Sequence, residues 1–243
     1  MIKHSIQWVI QFRRHYEPVG PEICNDYFPV FTTTLDVMNQ AVHKYSMTAN
    51  IGRPLEFDPD IALDAAMHQF WSKGYESTSM QNLLATMNLS KSSLYQAFGG
   101  KQQLFRKCVV RYADQFSQML RDGLSGAPSG RQFIEGFLNS VLNDVSGQAQ
   151  PRGCLVMNTA SEFAQSDPEI AQDVAHSIER FRGVLRSAVE RAQQEGDIPP
   201  ERDAQTLANF LVSSMSGLKT QAKAGADAAT LQGIISMVLK TLD

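Results

Sequence analysis

The stretch LSKSSLYQAFGGKQQLF, Leu89 to Phe105, places three serines and two aromatics in the nine residues from Ser90 to Phe98. Two glycines follow, and the stretch carries lysines but no acidic side chain. Ser90 is a cap candidate, because a serine hydroxyl at a helix start accepts a hydrogen bond from an otherwise unpaired backbone amide. Gly99 and Gly100 end the helix that Ser90 begins. Helical spacing turns Leu94 and Ala97 or Phe98 inward, turns Lys91, Ser92, Ser93 and Gln96 outward, and leaves Tyr95 along the edge. An amphipathic helix whose polar side is built of hydroxyls, an amide and a lysine has to face something other than the protein interior.

Upstream, Ser77, Thr78 and Ser79 offer caps for a short helix whose apolar positions Met80, Leu83, Leu84 and Met87 recur at intervals of three and four. Asn88 and Leu89 form a tight connection to the next helix. Two short helices locked by apolar residues, the second with a polar face outward, make a helix-turn-helix pattern. The outward side chains suit the major groove, where Gln and Lys address purine edges and Ser reaches bases or phosphates. The free amides near Ser90 and Lys91 suit a phosphate. An ordinary helical hairpin, or a helical adaptor using its polar face on protein partners, satisfies the same pattern.

Preceding this pair, Phe57, Ile61, Ala65, Ala66, Phe70 and Trp71 form an apolar stripe, with Asp58 as cap, Pro59 in the first turn and Gly74 as terminator. A fourth helix starts at Lys101 and runs through Leu104, Phe105, Cys108, Val109 and Tyr112. The glycine- and serine-rich DGLSGAPSGR is expected to be a loop. Further helices are expected over Gln132–Val145, Cys154–Phe163, Ala204–Lys219 and Thr230–Leu242, and the SDPE cap at Ser166 to Glu169 is expected to start a long helix running to about Glu195. No period-two alternation is sustained, so the chain reads as all-α with about nine helices. The first 50 residues lack this periodicity and are interrupted by Pro18, Pro21 and Pro29. Two readings of them stand, translation starting at Met47 or a poorly ordered arm.

The net charge of -3 over 243 residues, 22 basic against 25 acidic, excludes a polycation coating nucleic acid along its whole surface. Charge is unevenly distributed. From Asn88 to Tyr112 there are five basic residues (Lys91, Lys101, Arg106, Lys107, Arg111) and no acidic one, whereas Ala113 to the end holds 11 basic against 16 acidic. A positive segment on an acidic chain is the footprint of a local phosphate-binding surface. The alternative is a solvated helix face.

The span from Asp58 to Phe105 resembles the DNA-binding domain of the TetR family of bacterial transcriptional repressors. Phe70, Gly74, Tyr75, Thr78, Ser79 and Met80 carry the likeness in the first half, and Leu89 through Tyr95, Phe98, Lys101, Leu104 and Phe105 in the second. Ser92, Ala97 and the Gly99–Gly100 pair depart from the usual pattern, so base preference does not transfer. The resemblance implies three domains of sequence: an extension over 1–50, a homeodomain-like helix-turn-helix block over 51–105, and a helical effector-binding and dimerisation domain over 106–243. It further implies Thr78, Lys91, Tyr95 and Lys101 on the phosphate side, with Ser90 at the helix start and Ser92, Ser93 and Gln96 as base readers. Arg53 in GRPLEF lies in a basic arm aimed at a phosphate or the minor groove. The implied partners are a double-stranded DNA operator, a second copy of the chain and a small-molecule effector, with no cofactor.

LANFLVSSMSGLKT and LQGIISMVLKTL, rich in small and apolar residues, suit close packing across a two-fold axis. RGCLVMNTASEF, Arg152 to Phe163, mixes apolar surface with hydrogen-bonding groups, which makes Met157, Asn158, Thr159, Glu162 and Phe163 candidate effector contacts. Ordinary helix packing explains the same residues. Cys154, at a helix start after Arg152, is a candidate redox or electrophile sensor, with Cys108 as the second thiol considered. Three scattered cysteines, Cys24, Cys108 and Cys154, fit a reducing cytoplasm, and no apolar run is long enough to span a membrane. The five histidines are dispersed and no phosphate-binding glycine loop occurs, so the sequence argues against an enzyme.

Overall fold

A computed structural model describes residues 57–146 and 150–243, and within them the regular structure is nine α-helices with no strand. They are α1 (Pro59–Lys73), α2 (Met80–Met87), α3 (Lys91–Phe98), α4 (Lys101–Gly126), α5 (Gly130–Ser146), α6 (Leu155–Phe163), α7 (Pro168–Glu195), α8 (Ala204–Lys223) and α9 (Ala228–Lys240). The extension over 1–50, Arg53 and Cys24 lie outside the described residues.

Local chemistry fixes most boundaries. Asp58 caps α1, its carboxylate accepting the Asp60 amide at 2.8 Å, and Gly74 stops the helix at φ 81°. At α2, Ser79 accepts the Asn82 amide at 3.1 Å while Asn82 Oδ1 accepts the Ser79 amide at 3.0 Å, a reciprocal capping box. Asn88 closes α2 in the left-handed region at φ 52°, a conformation asparagine tolerates better than most residues. Asp167, Asp203 and Asp227 cap α7, α8 and α9 in turn.

One boundary departs from expectation. The DGLSG part of DGLSGAPSGR is helical, and only Ala127–Ser129 interrupt the chain between α4 and α5. Helix propensity disfavours the glycines by roughly 1 kcal/mol each, but tertiary contacts outweigh it. Leu124 packs on the core, Arg191 from α7 donates to the Leu124 carbonyl at 2.8 Å, and a Cβ on Gly123 would sit 3.2 Å from the Phe133 ring.

Helices α1, α2 and α3 form a small cluster closed by Ala66, Phe70, Leu83, Leu94 and Phe98, all buried. Helix α4 packs against α1 at one end and lies along α7. Helix α7 is the hub of the remainder and touches α4, α5, α6 and α8. Its contact with the start of α5 is at backbone distance, since a Cβ on Gly130 would lie 2.5 Å from the Ala188 carbonyl. Lys219 of α8 meets Asp144 of α5 at 2.9 Å in a nearly dry setting, each side chain about 10 % exposed or less. Among the described residues no helix is long and apolar enough to cross a membrane.

Candidate DNA-binding interface

Helix α3 is anchored from beneath by Leu94 and Phe98, 0 % and 5 % exposed. That anchoring leaves Lys91, Ser92, Tyr95 and Gln96 exposed together and Ser93 half-buried beside them. Tyr95, expected along the edge, is 49 % exposed. Ala97 is half-buried, so the inward pair is Leu94 and Phe98.

Ser90 caps as expected, accepting the Ser93 amide at 3.1 Å. Its hydroxyl also lies 2.9 Å from the Ser92 hydroxyl and 2.8 Å from that of Ser93. The three serines thus form one hydrogen-bonded cluster at the amino end of α3, and a hydroxyl that accepts within it keeps its own proton to donate outward.

One expected contact and one charge count are corrected. Thr78 is fully buried and its hydroxyl donates to the Gly74 carbonyl at 2.7 Å, so its side chain braces the turn between α1 and α2 and has no path to a phosphate. Its neighbours Ser77 and Ser79 are the exposed hydroxyls there. Second, the run of positive charge is smaller than its count. Arg106 binds Glu169 and Asp173, and Arg111 binds Asp60 and Asp64, each pair bridging from α4 to another helix. Lys101 sets its ammonium 4.1 Å from the centre of the Tyr75 ring. Lys91 and Lys107 are the exposed members of the five.

The residues expected to line an effector pocket lie on α6 and on the loop before it, which together strap α1 to the helical body. The Trp71 indole of α1 donates to the Gly153 carbonyl at 3.1 Å, and the Arg152 guanidinium lies 5.3 Å from the centre of the same ring. Gly153 adopts φ +73°, and a Cβ there would come within 3.3 Å of Asn158 Oδ1 and 3.4 Å of Lys223 Cδ. Asn158 holds that loop, donating to the Arg152 carbonyl at 3.0 Å. At the far end of α6, Phe163 packs edge-on against Tyr75, centroids 5.2 Å apart, and against Phe105 at 5.6 Å. Met157 is half-buried on the core, and Thr159 is buried with its hydroxyl bound to the Leu155 carbonyl. Asn158, Thr159 and Phe163 are thus engaged within the chain, while Glu162 is exposed and Met157 half-buried.

Acidic groups surround this junction. Partial desolvation, followed by the Glu76 charge, holds the Glu162 carboxyl above the ordinary value, although the Glu76 backbone acts the other way. Desolvation first, then Glu76, Asp167 and Glu162, push the Tyr75 phenol upward. Asp167 goes the other way, because the Ile170 amide and then the Gln102 side chain stabilise its anion. The junction with Gln102 and Arg106 escaped sequence reasoning because its partners are more than 60 positions apart. Tyr75 entered only through the family resemblance and Phe163 only through composition.

Cys108 is fully buried, its thiol 3.8 Å from the Leu63 carbonyl and pushed well up by burial. Cys154 is the residue before α6, 9 % exposed. Among the described residues no cluster of three His, Cys, Asp or Glu is placed to hold a metal.

An anchored three-helix block with a polar third helix, joined to a helical body through one long helix, agrees with the family comparisons. Residues 62–108 match the family described as bacterial regulatory proteins, tetR family, and residues 130–238 match the tetracyclin repressor-like C-terminal domain. The HTH-type transcriptional repressor ComR of Escherichia coli K12 is 30% identical over 190 residues, covering 78% of this chain and 90% of ComR. The chain belongs to the TetR family. As a TetR-family protein it is a DNA-binding transcriptional regulator. A second TetR-type relative, the regulator YezE of Bacillus subtilis 168, is 29% identical and covered over its whole length, with 79% of this chain. In the solved structures, the TetR-family regulator CifR, in a variant with cysteines replaced and bound to 26-bp operator DNA, superposes with a TM-score of 0.68. It is 31% identical, and the match covers 79% of this chain and 100% of that one.

Proposed function

We propose that the protein is a cytoplasmic dimeric repressor, acting by binding alone without catalysis, that reads an operator through α3 and leaves it when a small molecule binds its helical body. The observation that carries the DNA-reading part is the exposed quartet Lys91, Ser92, Tyr95 and Gln96 on a helix whose opposite side is sealed by Leu94 and Phe98. Lys91 and the free amides at the start of α3 take phosphates, and Gln96 with Ser92 and Ser93 reads base edges. Tyr95 flanks them. Lys101 serves the junction with Tyr75 first and the DNA backbone second. Arg53 remains assigned to the arm. The functional division follows the same lines: 51–105 reads DNA, and 106–243 dimerises and takes the effector.

Phe210 on α8 and Ile234 and Met237 on α9 are the exposed large apolar side chains of the helical body. Gly217 and Gly233 on the same two helices have nothing within 4 Å of an added Cβ. Apolar groups beside open glycines admit a second copy at close range, and two-fold symmetry then presents two α3 helices to successive major grooves. Coupling to the effector runs through α4, which belongs to both halves.

The test is selection of bound genomic fragments followed by mobility shifts at fixed salt. Lys91→Ala should weaken all sites and reduce the salt slope by about one per subunit, whereas Gln96→Ala should change which bases are preferred. Equal loss at every site for the Gln96 variant would reject the assignment.

A second reading, release triggered by oxidation or alkylation of Cys154, has one observation in its favour. Cys154 directly follows the Gly153 carbonyl that holds Trp71, so a change at its sulfur acts on a contact with the DNA-reading block. Peroxide or N-ethylmaleimide should release operator from the native protein and spare Cys154→Ser; release of both alike rejects this reading.

A further inference from the structure

A depression of about 540 Å³ opens between the last turns of α4 and the middle of α7. This volume is within the roughly 300–1,000 Å³ of small-molecule sites. Arg121 and Leu124 line it from α4, and Arg180, Val184 and Arg191 from α7. No carboxylate is among its lining residues. The positions recur at helical spacing, so two facing stripes converge on one space.

The three guanidinium groups differ in what they still have to offer. Arg191 is committed, binding Glu195 and the carbonyls of Leu124, Ala127 and Pro128. Arg180 binds Asp114 through Nη1 only, and its Nε is buried without an acceptor. Arg121, exposed, meets only the neutral Gln118 amide oxygen among its hydrogen-bonded partners. A guanidinium with donors still unused suits a carboxylate, which it can hold through two N–H groups at once. Leu124 and Val184 supply the apolar wall, and Gly183 leaves the α7 side open, with nothing within 4 Å of an added Cβ.

We infer that this groove binds a small amphipathic carboxylate, its anionic end on Arg121 and Arg180 and its apolar body on Leu124 and Val184. The inference rests on the effector-responsive reading above and gives that effector a chemical class. The location suits the task. A ligand wedged between α4 and α7 acts on the helix whose other end meets the DNA-reading block, and so biases its tilt.

The experiment is calorimetric titration of the full chain with 2-naphthoate, its neutral amide and inorganic phosphate, with operator release by 2-naphthoate measured in parallel. 2-Naphthoate should bind, the amide about tenfold or more weakly, and phosphate more weakly than 2-naphthoate. Gly183→Leu fills the groove from a position with free space, and should abolish binding and release while leaving ligand-free operator affinity intact. Arg121→Gln should weaken 2-naphthoate and leave the amide unchanged. Absence of binding, equal binding of acid and amide, phosphate binding as tight as 2-naphthoate, or full affinity in Gly183→Leu overturns the inference. Operator binding by the ligand-free native protein is a separate readout. Its failure would strike the repressor reading, whereas failure of the groove alone leaves that reading standing.

Discussion

Two short helices in this protein look alike as text. Helix α3, KSSLYQAF, and helix α6, LVMNTASEF, each mix hydroxyls, an amide and aromatic or apolar groups over eight or nine residues. In space they part company. The polar side of α3 stays exposed because only Leu94 and Phe98 are claimed by the body beneath. On α6 the Asn158 amide holds the Arg152 carbonyl, Thr159 turns back on its own helix and Phe163 joins Tyr75 and Phe105. A polar residue on an amphipathic helix is available to a ligand only if no neighbouring element has already used it.

The largest effect that would break this contrast is expected at Leu94. Leu94→Ala should cost about 2–5 kcal/mol, as for a fully buried leucine, and remove operator binding together with a thermal transition. Smaller is Phe163→Ala, at about 1–3 kcal/mol because the ring is only half-buried. It should leave the ligand-free complex with DNA detectable yet blunt its response to effector. If α6 were a ligand helix instead of a strap, that variant would lose effector affinity with unchanged melting.

Trp71→Phe deletes the indole donor to Gly153 and should cost about 0.5–1.5 kcal/mol in denaturant unfolding. Gln96→Ala is the limiting case, with stability changed by less than about 0.5 kcal/mol while base preference shifts. Together these two place the contrast on a single axis, contact inside the chain against contact with DNA.

Acid sharpens it further. The Asp167 carboxyl, at the amino end of α7, is depressed, so its stabilisation is present above the unfolded carboxylate value near about 4 and is lost as pH falls through its folded value. Glu162 is raised, so its contribution has the opposite sign: present at low pH and lost as pH rises through the folded value. Asp167→Asn should therefore flatten the acid limb of the stability profile, and Glu162→Gln should raise stability towards neutral pH. Melting temperatures across an acid series read both.

Much of the architecture is encoded locally. Capping residues Asp58, Ser79, Ser90 and Asp167 and the terminator Gly74 act on amides and torsions within four positions, so the boundaries of α1, α2, α3 and the start of α7 can be read along the chain. The outward face of α3 is equally local, since helical spacing alone separates Gln96 from Leu94. The end of α4 could not be read this way, because Leu124 and Gly123 are held by Arg191 and Phe133.

The charge count fails for the same reason. Lys91, Lys101, Arg106, Lys107 and Arg111 are equivalent as letters, but Arg106 and Arg111 find carboxylates 67 and 47 positions away and Lys101 finds an aromatic face. Short-range chemistry, the caps, helical spacing and hydroxyl-rich face of α3, is written in the order of the residues and identifies a DNA reader. Whether a given arginine, threonine or asparagine is free to meet DNA or effector depends on what folding brings beside it, and such partners leave no periodic trace along the chain.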